Sequence, residues 1–185
     1  MKKYFSKIII FLAIISVLSI IYISLNNKRA VETKIVPTTN INIKDIKIGS
    51  SIDDITKSLG RELNSTISGN LLINEYQSKN IYRPHQIYFD NNISKLIIEE
   101  VTDKSITTDK MREKYGISEQ VLYEKLEHSS FNLFVYPLKG IAYRGHANGG
   151  LVLEIWYFEP TDIKTFIQKY ATNYQEELFT QQRGY

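Results

Sequence analysis

Two segments of this chain run a short amphipathic pattern into a glycine, and they lie 56 positions apart. The first is IGSSIDDITKSLG, residues 48–60, and the second is ITTDKMREKYG, residues 106–116. In the first, Ser51 is placed to cap a helix, with Asp54 at capping-box spacing. Ile52, Ile55 and Leu59 then fall on one face, and Gly60 stands where a glycine ends a helix. In the second, Thr108 is placed to cap, Met111 and Tyr115 repeat the face, and Gly116 ends it. Asp53 corresponds to Asp109 and Gly60 to Gly116. A unit recurring at a fixed period predicts one supersecondary element built twice, which limits the folds open to the chain more than any bulk property does.

The segments that follow repeat in kind. LIIE at Leu96–Glu99 matches LVLE at Leu151–Glu154, at an offset of 55. Turn residues precede each block, Asp90-Asn91-Asn92 in one half and Asn148-Gly149-Gly150 in the other. Strands are expected before them at 82–89 and 140–145, and earlier at 71–76 and 131–137. The reading is an α+β chain with two helix-plus-three-stranded antiparallel meander repeats, at 46–102 and 103–160. A further helix is expected from Ser118, with Ile117 packing on Leu122 as a hydrophobic staple. A C-terminal amphipathic helix over 161–178 follows from the stripe Ile163, Phe166, Ile167, Tyr170, Ala171, Tyr174 and Leu178.

The N-terminus differs in character. Ile8 to Leu25 is an uncharged apolar run of 18 residues. As a helix it is about 27 Å long, near the thickness of a hydrocarbon core. Tyr4 and Tyr22 flank it where amphipathic rings suit an interface. The run exceeds the roughly 7–15 residues of a cleaved signal sequence, and no A-x-A-like site follows. The expectation is a transmembrane anchor over 1–27 and a linker over 28–45, which is polar and carries Pro37. Three lysines before the run tip its orientation toward N-terminus inside. That places the chain in the cell membrane as a single-pass protein, with the domain 46–185 extracytoplasmic and the lipid bilayer met through residues 8–25.

Charge and composition exclude several classes. Of 23 basic and 20 acidic residues, five basic and no acidic ones lie in 1–29, so the remainder is close to neutral. No basic run supplies the face that phosphate neutralisation requires, so no nucleic-acid partner is expected. With 43% hydrophobic residues the chain has globular, not disordered, composition. It has no cysteine, which removes disulfides, thiolate metal sites and a thiol nucleophile.

The helix written IGSSIDDITKSLG, followed by antiparallel strands and then repeated, resembles the SmpA/OmlA (BamE-like) and beta-lactamase-inhibitor-protein-like superfamily. The resemblance covers Ile48–Gly60 well and Thr107–Gly116 more loosely. It implies a hairpin-rich fold and an extracytoplasmic habit. The chain departs from the family at Arg61-Glu62, where Gly-x-Pro is typical, and in lacking the cysteines of the inhibitors and of the lipoprotein members. Neither β-lactamase inhibition nor outer-membrane assembly is therefore carried over.

Few residues offer chemistry. His85, His128 and His146 show no i, i+4 pairing and no H-E-x-x-H, and no phosphate-binding or nucleophile-elbow motif occurs. His85 reads as a strand histidine, and His146 as part of a hairpin turn. Glu99 and Glu100 alternate on a strand and so face opposite ways, while Glu99 and Glu154 read as one structural position used twice. No catalytic residue, cofactor or metal ligand is assigned. Aromatic residues are plentiful, with 13 Tyr, 8 Phe and 1 Trp. Tyr143, Arg144, His146, Trp156 and Tyr157 are the candidate binding surface, because Tyr, Trp and Arg anchor interfaces. The expected function is a non-catalytic protein-binding module of the cell envelope, engaging an envelope protein partner. The alternatives are a cell-wall glycan binder using Tyr143 and Trp156, or an envelope hydrolase using His85, Glu99 and His146.

Overall fold

The computed structural model describes residues 43–125 and 130–177. Within them, nine antiparallel strands form one sheet and three helices of eight residues lie against it. Helix α1 is Ile52–Leu59, α2 is Thr108–Tyr115 and α3 is Ile163–Tyr170. The strands are β1 Asn64–Ser68, β2 Leu71–Tyr76, β3 His85–Asp90, β4 Ile93–Glu100, β5 Gln120–Glu124, β6 Phe131–Tyr136, β7 Ile141–His146, β8 Val152–Phe158 and β9 Tyr174–Gln175. Their order across the sheet is β1-β2-β3-β4-β8-β7-β6-β5-β9. Two local meanders, β1–β4 and β5–β8, thus meet along their last strands.

Helices this short are unstable alone, so caps and sheet contacts hold them. The Ser51 hydroxyl accepts from the Asp54 amide at 3.2 Å and donates to its carboxylate at 2.7 Å. Thr107, not Thr108, caps α2 by accepting from the Lys110 amide at 3.3 Å. Thr108 is buried and donates its hydroxyl to the His146 carbonyl. Asp162 caps α3 through Thr165. Gly60 and Gly116 end their helices at φ of +84° and +85°, a conformation that costs a residue with a Cβ.

Both halves dock the helix start on the tip of their last hairpin in the same way. Ser51 bridges Ile93, and Thr107 bridges Leu151. The Ser94 amide donates to the Ser50 carbonyl, and the Val152 amide donates to the Ile106 carbonyl. Even the break in register recurs, between Tyr88 and Phe89 on β3 and between Arg144 and Gly145 on β7.

Alternation along the strands sorts the core into two faces. On one, α1 covers Tyr76, Ile87, Phe89 and Ile97, while α2 covers Phe134, Tyr136, Tyr143 and Ile155. On the other, α3 packs on Leu96, Ile98, Leu133, Val135, Ala142, Trp156 and Phe158. One row of paired residues shows where α3 stops. It runs Asn64, Glu75, Gln86, Ile98, Trp156, Ala142, Val135, Gln120 across eight strands. The row is apolar from β4 to β6, beneath α3, and polar from β1 to β3, where no helix covers that face among the described residues.

Several expectations need correction. The fold class is not α+β with three-stranded meanders: each half contributes four strands, and all strands join one mostly β sheet. Residues 120–124 form β5 and not the helix expected from Ser118, because pairing with β6 buries Leu122 completely and outweighs a weak local helical pattern. The C-terminal helix ends at Tyr170, and Tyr174 returns to the sheet as β9. The strand match also shifts. Ile97 pairs with Ile87, and Ile155 pairs with Tyr143, so Ile97 corresponds to Ile155 and Leu96 to Glu154. Among the described residues no helix is long and apolar enough to cross a membrane. The run Ile8–Leu25 lies outside them, so the transmembrane anchor, the bilayer contact through 8–25 and the single-pass extracytoplasmic placement are not retained.

Candidate functional site

The face carrying α3 ends in a line of alternating charges. Glu100 and Glu154 sit directly opposite each other on β4 and β8, an arrangement that is repulsive unless a cation intervenes. Arg83, from the loop between β2 and β3, supplies it. Its Nε lies 3.2 Å from Glu100 Oε2 and its Nη2 lies 2.7 Å from Glu154 Oε1. Arg144 on β7 continues the chain, 3.4 Å from Glu154 and 2.6 Å from Glu124 on β5. The Trp156 indole N–H donates to Glu154 Oε2 at 3.0 Å, and the Tyr174 hydroxyl donates to Glu124 at 3.4 Å. Burial raises Glu100 above the ordinary carboxylate range, and Arg83 opposes that shift. Every carboxylate here is engaged by a cation. Arg144 Nε is the one buried side-chain polar atom without a partner among the described residues.

The same loop is held from beneath and presents apolar side chains above. The Ser78 hydroxyl shares its one proton between the Asn80 and Arg83 carbonyls, and the Asn80 side chain accepts from the Tyr82 amide. Ile81 and Tyr82 at its tip are exposed.

The residues singled out from sequence do not form one surface. Tyr143 and Trp156 are 1% and 5% exposed and belong to opposite faces of the sheet. Tyr157 is half-buried on the α1/α2 face, where its hydroxyl donates to Glu99 at 2.8 Å. Arg144 is tied into the charge line. The His146 ring stands edge-on to Phe131 and accepts from the Asn148 amide.

Of the acid/base candidates, His85 and Glu99 lie on adjacent strands, but His146 stands apart. His85 on β3 and His146 on β7 are three strand spacings apart, about 14 Å across the sheet, and three residues out of register along it. His85 Nδ1 accepts the Glu100 backbone N–H at 3.0 Å, and burial lowers the ring to about 4, which keeps it neutral. Glu99 faces away from Glu100 and Glu154, so Glu99 and Glu154 do not share a structural role. Among the described residues no group of three His, Cys, Asp or Glu side chains could hold a metal ion. His128 lies outside the described residues.

Sequence reasoning passed over β1. It is exposed along its whole length and borders only β2, so its outer edge is unpaired among the described residues. Its sequence, NSTIS, has no charge and no proline. The signal was weak because an edge strand with both faces open shows no hydrophobic alternation. Comparisons with family models, curated proteins and solved structures returned no match for this chain.

Proposed function

We propose that the chain is a non-catalytic protein-binding module that takes an extended segment of a partner onto the outer edge of β1. The observation that carries this reading is the unguarded edge itself. Proteins ordinarily blunt such an edge with lysine, proline, a bulge or a covering element, and among the described residues Asn64–Ser68 has none of these. An added strand would bond to the free N–H and C=O groups there and meet side chains on alternate faces. The glycan reading has less support, since Trp156 lies under Phe166 and Tyr174 and cannot stack on a sugar. The hydrolase reading loses its constellation because His146 stands three strands away from His85.

A displayed peptide library selected on the full chain tests this. Adjacent strand amides point to opposite sides, so one of Thr66→Pro and Ile67→Pro removes an outward N–H while leaving pairing with β2 intact. Peptides whose binding is lost in that variant, with Trp156 fluorescence unchanged, are the expected result. Selected peptides indifferent to both substitutions would overturn the reading.

A further inference from the structure

We propose that the strand which β1 accepts is β1 of a second copy of this chain, in an antiparallel two-fold pairing centred on Ser65. The inference rests on the strand-addition reading above and names the partner. Leu63, just before β1, and Ile67 are large apolar side chains left 58% and 77% exposed. Leu63 sits in the bend that leads into β1, and the proposed pairing extends the strand by that one residue, which sets Leu63 on the Ile67 face. In an antiparallel pairing with Ser65 opposite Ser65 of the second copy, Leu63 of each chain stands opposite Ile67 of the other. Four exposed apolar side chains then cover one another in two cross-strand pairs. On the opposite face Asn64 meets Thr66, two uncharged polar residues. The nearest charge also avoids conflict, since Glu62 falls toward the uncharged Ser68 end of the partner's strand. Shifting the centre to Thr66 sets Leu63 against Gly69 and loses both apolar pairs. A two-fold contact of this kind is self-complementary, as an isologous interface must be.

The absence of cysteine makes the register directly testable in the full chain. Opposite residues on antiparallel strands have Cα atoms about 4.5–5.5 Å apart, inside the range that a disulfide spans. Ser65→Cys is therefore expected to give a disulfide-linked dimer under mild oxidation. Ser68→Cys, whose partner cysteine would lie about 20 Å away along the strand, is expected to remain monomeric. Adding Ile67→Lys to Ser65→Cys should cut the dimer yield about tenfold, by setting an ammonium against the partner's apolar side chain. Ile67 is exposed, so this variant keeps its fold, as Trp156 fluorescence will show.

Equal crosslinking of both cysteines, or of neither, overturns the proposal. A chain that fails to crosslink through Ser65→Cys but still captures displayed peptides on β1 refutes the self-pairing alone. Failure of both experiments removes the strand-addition reading as well.

Discussion

Arg83→Met should destabilise the protein by about 2–3 kcal/mol at neutral pH, and the loss should shrink on acidification. Arg83 spans Glu100 and Glu154, which face each other across β4 and β8. Without it Glu154 keeps Arg144 and the Trp156 indole, whereas Glu100 keeps only the Asn80 amide at 3.5 Å among its side-chain partners. The Glu100 side chain is 5% exposed, so the substitution strands a buried carboxylate beside another. Breaking a fully buried pair costs about 3–5 kcal/mol. Arg83 is itself 31% exposed, and solvent screening reduces the figure to about 2–3 kcal/mol.

The sign of the pH dependence follows from Glu100. Burial already lifts it above the ordinary carboxylate range, and Arg83 restrains that lift. Removing Arg83 raises it further. A carboxyl raised in the folded state binds its proton more tightly there than in the unfolded chain, so acidification through that window favours folding. The deficit of Arg83→Met is therefore full near pH 7.5 and smaller near pH 4.5. The titration of His85 is common to both proteins and cancels in the difference. Urea unfolding followed by Trp156, the sole tryptophan, measures it. Glu100→Gln in the Arg83→Met background should recover most of the loss. An equal deficit at both pH values, or one below about 0.5 kcal/mol at neutral pH, refutes the reasoning.

Two further tests probe the frame that holds these strands. His85, whose folded-state value is lowered to about 4, contributes stability that is present above about pH 6.5 and lost as pH falls toward 4. The expected size is about 2 kcal/mol after allowance for the ring's partial exposure, and an NMR titration midpoint of His85 above 6 would contradict it. Gly140→Ala should cost about 2–3 kcal/mol, because φ is +64° and a Cβ would run into the Phe158 carbonyl and reach 3.2 Å from Pro160 Cδ. Gly69→Ala has nearly the same φ, +63°, but open space around it and should cost only about 1 kcal/mol in denaturant unfolding. Equal costs at the two glycines would show that the close approach at Gly140 carries no energy.

What could be read from the chain beforehand was local. Ser51 as a cap, Gly60 and Gly116 as helix ends and Asn91-Asn92 as a turn rest on backbone chemistry that each residue carries with it, and the turn asparagines do adopt φ of +50° and +63°. What stayed hidden depends on partners distant in sequence. Nothing near Val121 tells a strand from a helix; β6 decides it. Trp156 and Tyr157 must face opposite ways on a strand, yet only the position of α3 determines that Trp156 is the buried one. Arg83 fell inside the strand expected at 82–89, whereas β3 starts at His85, and nothing marked it out, because its partners Glu100 and Glu154 become neighbours only when β4 meets β8. The charge line could not be inferred from spacing for the same reason.

The far border of the sheet bears on how large any assembly becomes. There β9 pairs with Tyr123 and Glu124 only, yet those two residues interrupt β5 so that no continuous five-residue strand can lie along it. A subunit with two receptive borders would add copies at both ends and grow into a fibre. Among the described residues this chain has a single receptive border, so the proposed pairing through β1 would end once that border is filled and would not propagate.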